Sequence, residues 1–511
     1  MFRLVKKLYC INLLTPKGVL FFIRSILLEG INLMAILRFS ATIYPNRIAI
    51  HETEGTSTLN DLFKDSKQLA IQLKHEYNLK EQDRVALICR NHLVLIQSLF
   101  ALSRVGVDVY LLNIEMSPIQ LKRIIDDKKF NLIIYDIERD DDLKEYDSQK
   151  RILTYHEFLP SINGLIKNRK FINTKLRKYS SGKIVVLTGG TTGEFKAAGR
   201  KTSVTNFVSP FLALLTDVNI DNYRSVYIAT PIYHGYGLAS MIVSVLLGAE
   251  LFILKKYETV EACKLISENS VEVAILVPLM LQRMLRHDEK ALYSLRCILS
   301  GGAPLNENLA RYTLQQLGDI LYNLYGTSEA GFSILAKPYD LKKHPATIGK
   351  PIRGVSLKVI DDDEQACEQG TVGMICIKSR WVMDSKSNYW VPTGDLGYIE
   401  RAGYVFLKGR RDNMIVSGGE NVYPEELEEV LMRNESIECA SVIGISDEEF
   451  GQRLKAFIVL KEKSVLTEDM VLTWLQNKVA RYQMPAQVKI VDALPTFSTG
   501  KVDKKQLSNL E

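Results

Sequence analysis

The chain has 511 residues, of which 46% are hydrophobic and 24% charged, so it can bury a large core and should form at least two domains. Its formal net charge of +6 is modest for this length, and we expect no nucleic-acid partner. Its seven cysteines are scattered singly, which argues against a disulfide framework or a structural zinc site and favours a reducing cytoplasm.

Residues 1–40 form a basic amphipathic segment, in which six lysine and arginine residues stand against the single acid Glu29. Its longest apolar run, 18–23, is too short to span a bilayer, and no small-residue cleavage site follows it. Two alternatives stay open for this segment: contact with an anionic membrane surface, or packing on the main domain. We therefore expect a cytoplasmic protein, which the first alternative would make peripheral at the inner face of the membrane.

Between residues 41 and 411, short β-branched runs alternate with amphipathic stretches such as 259–268, which we expect to be helical. Buried strands are predicted at 84–89, 131–136, 183–188, 226–230, 271–277 and 295–299. This alternation favours layered α/β structure with largely parallel sheets, whose ligand sites lie at the carboxyl ends of strands.

A different pattern begins near residue 412, after a polar connector at 408–413. The segments that stand out are a helix at 425–434, strands at 437–443 and 455–460, and a helix after Thr467 with an apolar face from Val471 to Tyr482. The last hundred residues, 412–511, are therefore predicted to form a small α+β domain.

The segment Leu187-Thr-Gly-Gly-Thr-Thr-Gly-Glu-Phe-Lys196 follows a predicted strand and combines three glycines with three threonines. A glycine-rich turn lets backbone N–H groups approach phosphate oxygens, while the hydroxyls add donors and Lys196 adds charge. It is not a Walker A loop, because Gly193 is followed by Glu194. The motif indicates phosphate binding, and an ordinary flexible turn is the alternative.

Two shorter motifs follow, Tyr325-Gly-Thr-Ser-Glu329 and Pro392-Thr-Gly-Asp395. A tyrosine face can stack on adenine, Thr327 can donate to a phosphate, and the two acids can hold a hard cation and accept from ribose hydroxyls. Each motif alone is also typical of turns and of solvated acids.

Three further motifs complete the series: Lys408-Gly-Arg-Arg-Asp412, Ser417-Gly-Gly-Glu-Asn-Val-Tyr-Pro424 and Pro495-Thr-Phe-Ser-Thr-Gly-Lys501. In order and spacing, the six motifs resemble the adenylate-forming superfamily, which includes acyl-CoA synthetases, nonribosomal adenylation domains and firefly luciferase. The resemblance covers nearly all of the chain after residue 40. It implies an α/β fold, with a large N-terminal domain of layered α/β subdomains that binds ATP and an acid, and a small mobile α+β C-terminal domain.

The resemblance also implies roles for individual residues. Tyr325 would stack on adenine, Asp395 and Arg410 would hold the ribose, and Thr327 and Glu329 would serve the phosphate and magnesium. The residues implied to bind ATP are Thr188, Gly189, Gly190, Thr191, Thr192, Gly193, Lys196, Gly302, Ala303, Tyr325, Gly326, Asp395 and Arg410. The catalytic residues would be Lys501, Thr327, Glu329 and His234. Positive charge from Lys501 and the metal would let two anions, a carboxylate and a phosphate, react.

For the second half-reaction, the resemblance implies a movement of the small domain. Rotation about Asp412 would remove Lys501 and bring Gly418 and Gly419 to the active site, where small residues leave room for a pantetheine arm. His234 would gate access of the acid and the thiol, although a lone histidine is more often structural. The implied acyl pocket is lined by Tyr233, Gly237, Val277, Gly301, Gly302 and Ala303. Since none of these is charged, an apolar tunnel is expected.

The sequence therefore predicts an AMP-forming acid–CoA ligase that uses ATP, Mg²⁺ and coenzyme A, with a medium- or long-chain fatty acid as the first choice of substrate. An aryl-CoA ligase, an acyl-AMP ligase that loads a carrier protein, and a non-catalytic binding protein are the alternatives. The loop departs from the family at Gly189, where serine is common, and at Phe195, where proline is usual. Lys504 and Lys505 are expected to be solvated.

Overall fold

The computed structural model divides the chain into two compact units, Met1–Leu276 with Arg283–Leu299, and Val277–Gln282 with Ser300–Glu511. The residues that it describes are 2–52, 55–156, 160–168, 174, 176–180, 182–189, 195–201, 204–327, 330–379, 389–417, 420–447, 451–462, 464–476, 478–479, 483–497 and 500–509. The domain limits inferred from the sequence, at 40/41 and 411/412, stay a prediction.

The first unit combines helices with short, mostly buried strands. Its helices are α1 Phe2–Cys10, α2 Pro16–Glu29, α3 Leu33–Ile43, α4 Leu59–Glu76, α5 Leu93–Val105, α6 Pro118–Lys128, α7 Asp140–Leu143, α8 Ile162–Lys167, α9 Val204–Ala213, α10 Gly235–Leu247 and α11 Thr259–Glu268, and α12 Pro278–Asp288 contains the division between the units. Its strands are β1 Ile48–Glu52, β2 Gly55–Thr58, β3 Arg84–Ile88, β4 Asp108–Leu111, β5 Leu132–Tyr135, β6 Arg151–Leu153, β7 Lys183–Gly189, β8 Phe195–Lys201, β9 Ser225–Ile228, β10 Glu250–Phe252 and β11 Val273–Leu276, followed by β12 Cys297–Gly301.

Two sheets organise the first unit. One has the order β6-β5-β3-β4-β7-β8 and is parallel except for the last pair. The other includes β11-β9-β10-β1-β2, again parallel except for the β1–β2 hairpin. The predicted strands and the prediction of largely parallel sheets are confirmed here, because the strands are apolar on both faces and lie buried. The helix predicted at 259–268 is α11.

The second unit has a different sheet architecture. Its helices are α13 Glu307–Leu317, α14 Pro338–Lys343, α15 Pro424–Leu431, α16 Glu468–Leu475 and α17 Lys504–Leu507. Its strands are β13 Leu321–Thr327, β14 Gly331–Ala336, β15 Thr347–Pro351, β16 Val355–Ile360, β17 Gly373–Ser379, β18 Val391–Ile399, β19 Val405–Arg410, β20 Ile415–Ser417, β21 Glu420–Val422, β22 Ile437–Asp447, β23 Gly451–Leu460 and β24 Gln487–Ile490.

The strands from β13 to β19 form a run with the order β16-β17-β18-β19-β15-β14-β13, in which the paired strands are antiparallel. The expectation of largely parallel sheets is therefore wrong for this stretch. Consecutive strands here are joined by connections of at most about a dozen residues, in which the described helix is the six-residue α14, whereas a parallel crossover needs a dozen residues or more. This run carries the Tyr325 motif on β13 and the Asp395 motif on β18.

The end of the chain forms a small α+β sheet with its own core, as predicted. The sheet has the order β21-β20-β23-β22, with β24 parallel to β23. Its core includes Leu427 and Leu431 of α15 and Val471 and Leu475 of α16. The helix α16 ends at Leu475, earlier than the apolar pattern suggests, and Tyr482 lies outside the described residues.

The prediction that Lys504 is solvated is wrong. Its ammonium lies 3.1 Å from Glu428 Oε1 and 3.5 Å from Glu425 Oε1, and the three side chains are largely buried. Burial raises the pKa of Glu428, whereas for Lys504 the two carboxylates outweigh desolvation and raise its pKa. This pairing fixes α17 against α15, three residues after Lys501. Lys505 is exposed, as expected.

Candidate active site

A cluster of three polar side chains forms where β13, β18 and β19 lie close together in the second unit. The Tyr325 hydroxyl donates to Asp395 Oδ2 at 2.5 Å, and Arg410 Nη1 lies 3.1 Å from Asp395 Oδ1. Asp395 and Arg410 are direct partners in the antiparallel register of β18 and β19, which brings residues fifteen positions apart together. The structure thus joins three residues that the sequence singled out separately.

The charges in this cluster depend on one another. Burial raises the pKa of Asp395, while the hydrogen bond from Tyr325 and the positive charges of Arg410 and Lys501 act in the opposite direction. Burial and the neighbouring Asp395 charge raise the pKa of Tyr325, so its hydroxyl stays protonated and acts as the donor. The cluster is a carboxylate held between a phenol and two cations.

Lys501 belongs to a tight loop in the same unit. The Phe497 N–H donates to the Lys501 carbonyl at 2.8 Å, and the Gly500 N–H donates to the Phe497 carbonyl at 2.8 Å. Gly500 has a φ of +74°, and a Cβ there would lie 2.6 Å from Val277 Cγ2, so only glycine lets the loop pack this closely. The loop that leads into Lys501 therefore packs against Val277 at Gly500.

The ammonium group of Lys501 lies within electrostatic reach of the cluster. Desolvation lowers its pKa, the charge of Arg410 adds to this, and Asp395 opposes both. An anion that bound beside Lys501 would favour its protonated form. The loop and the cluster can therefore act on one negatively charged ligand.

The backbone around Asp395 requires glycine at position 394. Gly394 has a φ of +78°, and a Cβ there would lie 2.8 Å from Arg410 Nη2. The Thr393 hydroxyl donates to the Ile375 carbonyl at 2.9 Å and accepts from the Asp395 N–H at 3.1 Å. The Thr-Gly-Asp motif thus holds the carboxylate in place and lets the guanidinium approach it.

Thr327 ends β13 after a β-bulge between Tyr325 and Gly326. A Cβ at Gly326 would meet the Gly331 carbonyl at 2.5 Å, so this residue allows close approach of two backbones. The Thr327 hydroxyl accepts from the Ala330 N–H at 3.0 Å, which leaves its own hydrogen to donate to a ligand. Glu329, the predicted magnesium ligand, lies outside the described residues.

The predicted phosphate loop lies in the first unit, at the turn of an antiparallel hairpin. Strands β7 and β8 pair with Thr188 opposite Lys196 and Gly189 opposite Phe195. The turn itself, Gly190, Thr191, Thr192, Gly193 and Glu194, is outside the described residues, as are the side chains of Thr188, Phe195 and Lys196. Their roles stay predictions.

His234 and Tyr233 precede α10 in the first unit. Their ring centroids are 4.6 Å apart, and His234 is the N-cap residue of the helix, with extended backbone geometry. A Cβ at Gly237 would meet the Pro231 carbonyl at 2.3 Å. The glycine is thus required by backbone packing, in addition to any room that it leaves for a substrate.

The sequence did not single out Asn91, which holds the segment that leads to His234. Its amide donates to the Thr230 carbonyl at 3.1 Å and its side-chain oxygen accepts from the Ile232 N–H at 2.8 Å, and the side chain is buried. The sequence does contain a signal for Asn91: the polar run Arg90-Asn-His92 follows strand β3, and ligand sites lie at the ends of such strands.

Next to Asn91, the structure brings together Cys89, His92 and Asp136, with their potential ligand atoms within 4.8 Å of one another. His92 Nε2 lies 2.9 Å from Asp136 Oδ1, and its Nδ1 accepts from the Leu95 N–H at 3.0 Å as the cap of α5. Burial raises the pKa of the Cys89 thiol, which therefore stays protonated. These bonds explain the cluster as a structural network, and we do not interpret it as a metal centre.

The other predicted pocket residues lie in the second unit. Val277 and Gly301 are buried, and Ala303 is half-buried. Gly302 has a φ of +79°, and a Cβ at this position would lie 3.6 Å from Val277 Cγ1. Val277 therefore contacts both the Gly302 turn and the Gly500 loop.

The predicted hinge and coenzyme A channel lie beyond β19. The backbone of Asp412 lies in a short turn of 3₁₀ helix, Arg411–Asn413, and its side chain is outside the described residues. Strands β20 and β21 pair with Ser417 opposite Glu420, while Gly418 and Gly419 between them are outside the described residues. Their roles also stay predictions.

Two family models match the chain. The model of the AMP-binding enzymes matches residues 37–385, and the model of the AMP-binding enzyme C-terminal domain matches residues 426–501. Together they include the loop, the Tyr325 motif and Lys501.

Similar proteins match over most of their length. The 2-succinylbenzoate–CoA ligase of Geobacillus sp. (strain WCH70) is 29% identical over 487 residues, which cover 92% of this chain and 96% of the relative. That of Bacillus subtilis (strain 168) is 27% identical over 482 residues, with the same coverage. Among solved structures, o-succinylbenzoate coenzyme A synthetase from Bacillus subtilis in complex with AMP is 25% identical, with a TM-score of 0.79 over 92% of this chain and 97% of that one.

Proposed function

The chain belongs to the family of AMP-binding enzymes, and on this premise we propose that it is an ATP-dependent ligase that converts an aromatic carboxylic acid into its coenzyme A thioester. The acid is first activated as an acyl-adenylate. The full-length similarity to 2-succinylbenzoate–CoA ligases supports both the reaction and the aromatic substrate.

The observation that carries this proposal is the position of Lys501. Its ammonium interacts electrostatically with Asp395 and Arg410, the residues that we propose hold the nucleotide ribose. Asp395 is in turn bound by Tyr325, the proposed adenine-stacking residue. The cation thus stands beside the proposed nucleotide site in the same compact unit.

In the first half-reaction, a carboxylate oxygen of the acid attacks the α-phosphorus of ATP, and the bond to the pyrophosphate oxygen breaks. Both reactants are anions, so positive charge must offset their repulsion. Lys501 supplies this charge, and its lowered pKa is raised again by the anions that it binds. The Thr327 hydroxyl donates its hydrogen to a phosphate oxygen.

Magnesium, when bound, supplies further positive charge to the phosphate groups. Its proposed ligand is Glu329, which lies outside the described residues. Thr327, two residues earlier, is suited by its hydroxyl to position a phosphate beside such a metal.

In the second half-reaction, the thiolate of coenzyme A attacks the acyl carbon and AMP leaves. Lys501 would obstruct this attack, so the small sheet rotates about Asp412 between the two steps. The loop at Gly418 and Gly419 then faces the adenylate and leaves room for the pantetheine arm.

The substrate class rests on two supports. The names of the relatives favour an aryl acid over the fatty acid that the sequence placed first. Val277, which we assign to the acid pocket, is buried and uncharged and suits an aromatic ring. A membrane-derived fatty acid has no such support.

An acid panel tests the proposal. Purified protein is incubated with ATP, Mg²⁺ and coenzyme A together with 2-succinylbenzoate, benzoate, decanoate or palmitate, and AMP and thioester are measured. We expect the highest kcat/KM with an aromatic acid. Turnover of the aliphatic acids alone would refute the substrate class, and absence of acid-dependent pyrophosphate exchange would refute the ligase activity.

A second comparison tests the acceptor. The acyl-adenylate is offered to coenzyme A and, separately, to the phosphopantetheine arm of a purified acyl carrier protein. We expect transfer to coenzyme A, as the names of the relatives suggest. Transfer to the carrier protein alone would establish the alternative, an acyl-AMP ligase.

A further inference from the structure

Exposed apolar side chains are numerous on α1 and α2, beside a few exposed cations. On α2, Leu20, Ile23 and Leu27 follow a helical spacing of three and four residues, and they are 62%, 50% and 60% exposed. Tyr9 on α1 and Ile31 after α2 are 57% and 56% exposed. A surface helix normally turns its polar side to water, so three large apolar side chains on the outward side of α2 are unusual.

The opposite face of α2 is firmly packed, which fixes the orientation of the helix. Glu29 accepts from Arg104 Nε at 2.7 Å and from Arg38 Nη1 at 2.6 Å, and both Glu29 and Arg104 are buried. Phe22 packs edge to face on Phe39 with ring centroids 5.6 Å apart. The exposed apolar residues therefore cannot turn inward without breaking these contacts.

The first helix is attached as well. Lys7 Nζ lies 2.8 Å from Asp221 Oδ1, and the Arg3 guanidinium donates to Asn219 Oδ1 at 3.0 Å. Both contacts join α1 to the first unit. Both helices therefore expose apolar side chains on the surface of the first unit, and we call Tyr9, Leu20, Ile23, Leu27 and Ile31 together the α1–α2 face.

The exposed charges within this N-terminal segment have a single sign. Among the described residues 3–31, the exposed charged side chains are Arg3, Lys6, Lys17 and Arg24, all cations, and the acid Glu29 is buried in its ion pairs. Two copies of such a face would bring like charges together, so the face is poorly suited to a second copy of the chain. It is complementary to an apolar layer that carries negative charge.

This face also lies largely outside the catalytic family region. The family match begins at residue 37, after both helices. No helix among the described residues is long and apolar enough to cross a bilayer. Any membrane contact made by these helices must therefore be at the surface.

We propose that the α1–α2 face binds the surface of a membrane that contains anionic lipids. Leu20, Ile23 and Leu27 enter the boundary between headgroups and acyl chains, and α2, which is about 21 Å long, lies in the plane of the membrane. Lys17 and Arg24 flank the apolar residues and contact the lipid phosphates. This role does not depend on the identity of the acid that the enzyme activates.

Vesicle flotation of the full-length chain tests the proposal. The probes are vesicles of phosphatidylcholine alone and of phosphatidylcholine mixed with phosphatidylglycerol, at low and high salt. We expect binding to the mixed vesicles, and the combined variant Leu20→Ser, Ile23→Ser, Leu27→Ser should bind at least about a hundredfold more weakly. Replacing Lys17 and Arg24 by glutamine should weaken binding about fivefold for each charge removed.

A matched control removes equally exposed apolar side chains elsewhere in the first unit, by Ile119→Ser, Ile137→Ser and Val260→Ser. This variant should bind the mixed vesicles like the wild type. Thermal unfolding and acid-dependent pyrophosphate exchange of each variant report whether it is folded. The glutamine variant keeps the apolar face intact, so it tests the charge independently of the serine variant.

Three results would overturn the proposal. One is equal binding of the wild type and the serine variant to the mixed vesicles. The second is equal affinity for neutral and anionic vesicles. The third is a dimer in light scattering that the serine substitutions dissociate, with no vesicle binding by the wild type, which would assign the face to a second copy of the chain.

Discussion

Removing the ammonium of Lys501 should separate the two half-reactions. We expect Lys501→Ala to lower formation of the acyl-adenylate by about 10³-fold, while thioester formation from a supplied acyl-adenylate stays nearly unchanged. The reason is that the cation offsets the repulsion between carboxylate and phosphate only in the first step. In the proposed mechanism, thioester formation proceeds after the lysine has moved away.

The size of the loss follows from the charges in the structure. In the cluster without ligand, Arg410 repels the ammonium of Lys501 and Asp395 attracts it. Because these two effects oppose each other, the charge of Lys501 acts mainly on incoming anions. A unit charge about 4 Å from a substrate anion contributes about 4 kcal/mol at an effective dielectric constant of about 20. This corresponds to a loss of about 10³-fold in adenylation.

Two assays on the same preparations measure the effect: exchange of labelled pyrophosphate into ATP for adenylation, and release of AMP from added acyl-adenylate and coenzyme A for transfer. Lys505→Ala is the matched control, because this lysine is four residues further on and exposed. An equal loss of both half-reactions in Lys501→Ala would refute the reasoning, as would a comparable loss in Lys505→Ala.

Three further predictions follow from contacts around Lys501, Gly394 and Asn91. Because desolvation and Arg410 lower the pKa of Lys501 in the free enzyme, kcat/KM for adenylation should fall as pH rises through a value below that of an ordinary lysine, and Lys501→Arg should shift this alkaline limb upward in a pH–rate profile. Gly394→Ala should raise the KM for ATP about tenfold by displacing Arg410, whereas Gly403→Ala, at a similar φ of +81° with open space around it, should leave that KM unchanged in steady-state kinetics. Asn91→Ala should lower the free energy of unfolding by about 1–3 kcal/mol in urea denaturation, because two buried backbone groups lose their partner; an unchanged midpoint would contradict this.

The local pattern of apolar residues predicted helices and strands well but predicted the pairing of strands poorly. The helix at 259–268 was predicted with its observed limits, because Ala262, Cys263 and Ile266 form a regular apolar face that is buried. The antiparallel run from β13 to β19 was missed, because the direction of a strand depends on its connections and not on its own composition.

The candidate site was predicted by motif and not by geometry. The sequence singled out Tyr325, Asp395 and Arg410, but their hydrogen bonds depend on the register of β18 against β19 and on the fold that brings β13 near them. Lys504 was misjudged for a related reason: its partners, Glu425 and Glu428, precede it by more than seventy residues. Long-range pairs of this kind leave no local pattern in the sequence.

In the proposed mechanism, the close packing of Gly500 against Val277 links substrate choice to the chemistry of activation. Val277 is assigned to the acid pocket, and its methyl groups also limit how closely the loop with Lys501 can approach. A bulkier side chain at position 277 would push that loop outward, and a displacement of about 1 Å can cost about a hundredfold in rate. Evolution of this enzyme towards smaller acids by filling the pocket at this position would therefore also slow adenylation, so new specificities should arise at other pocket positions first.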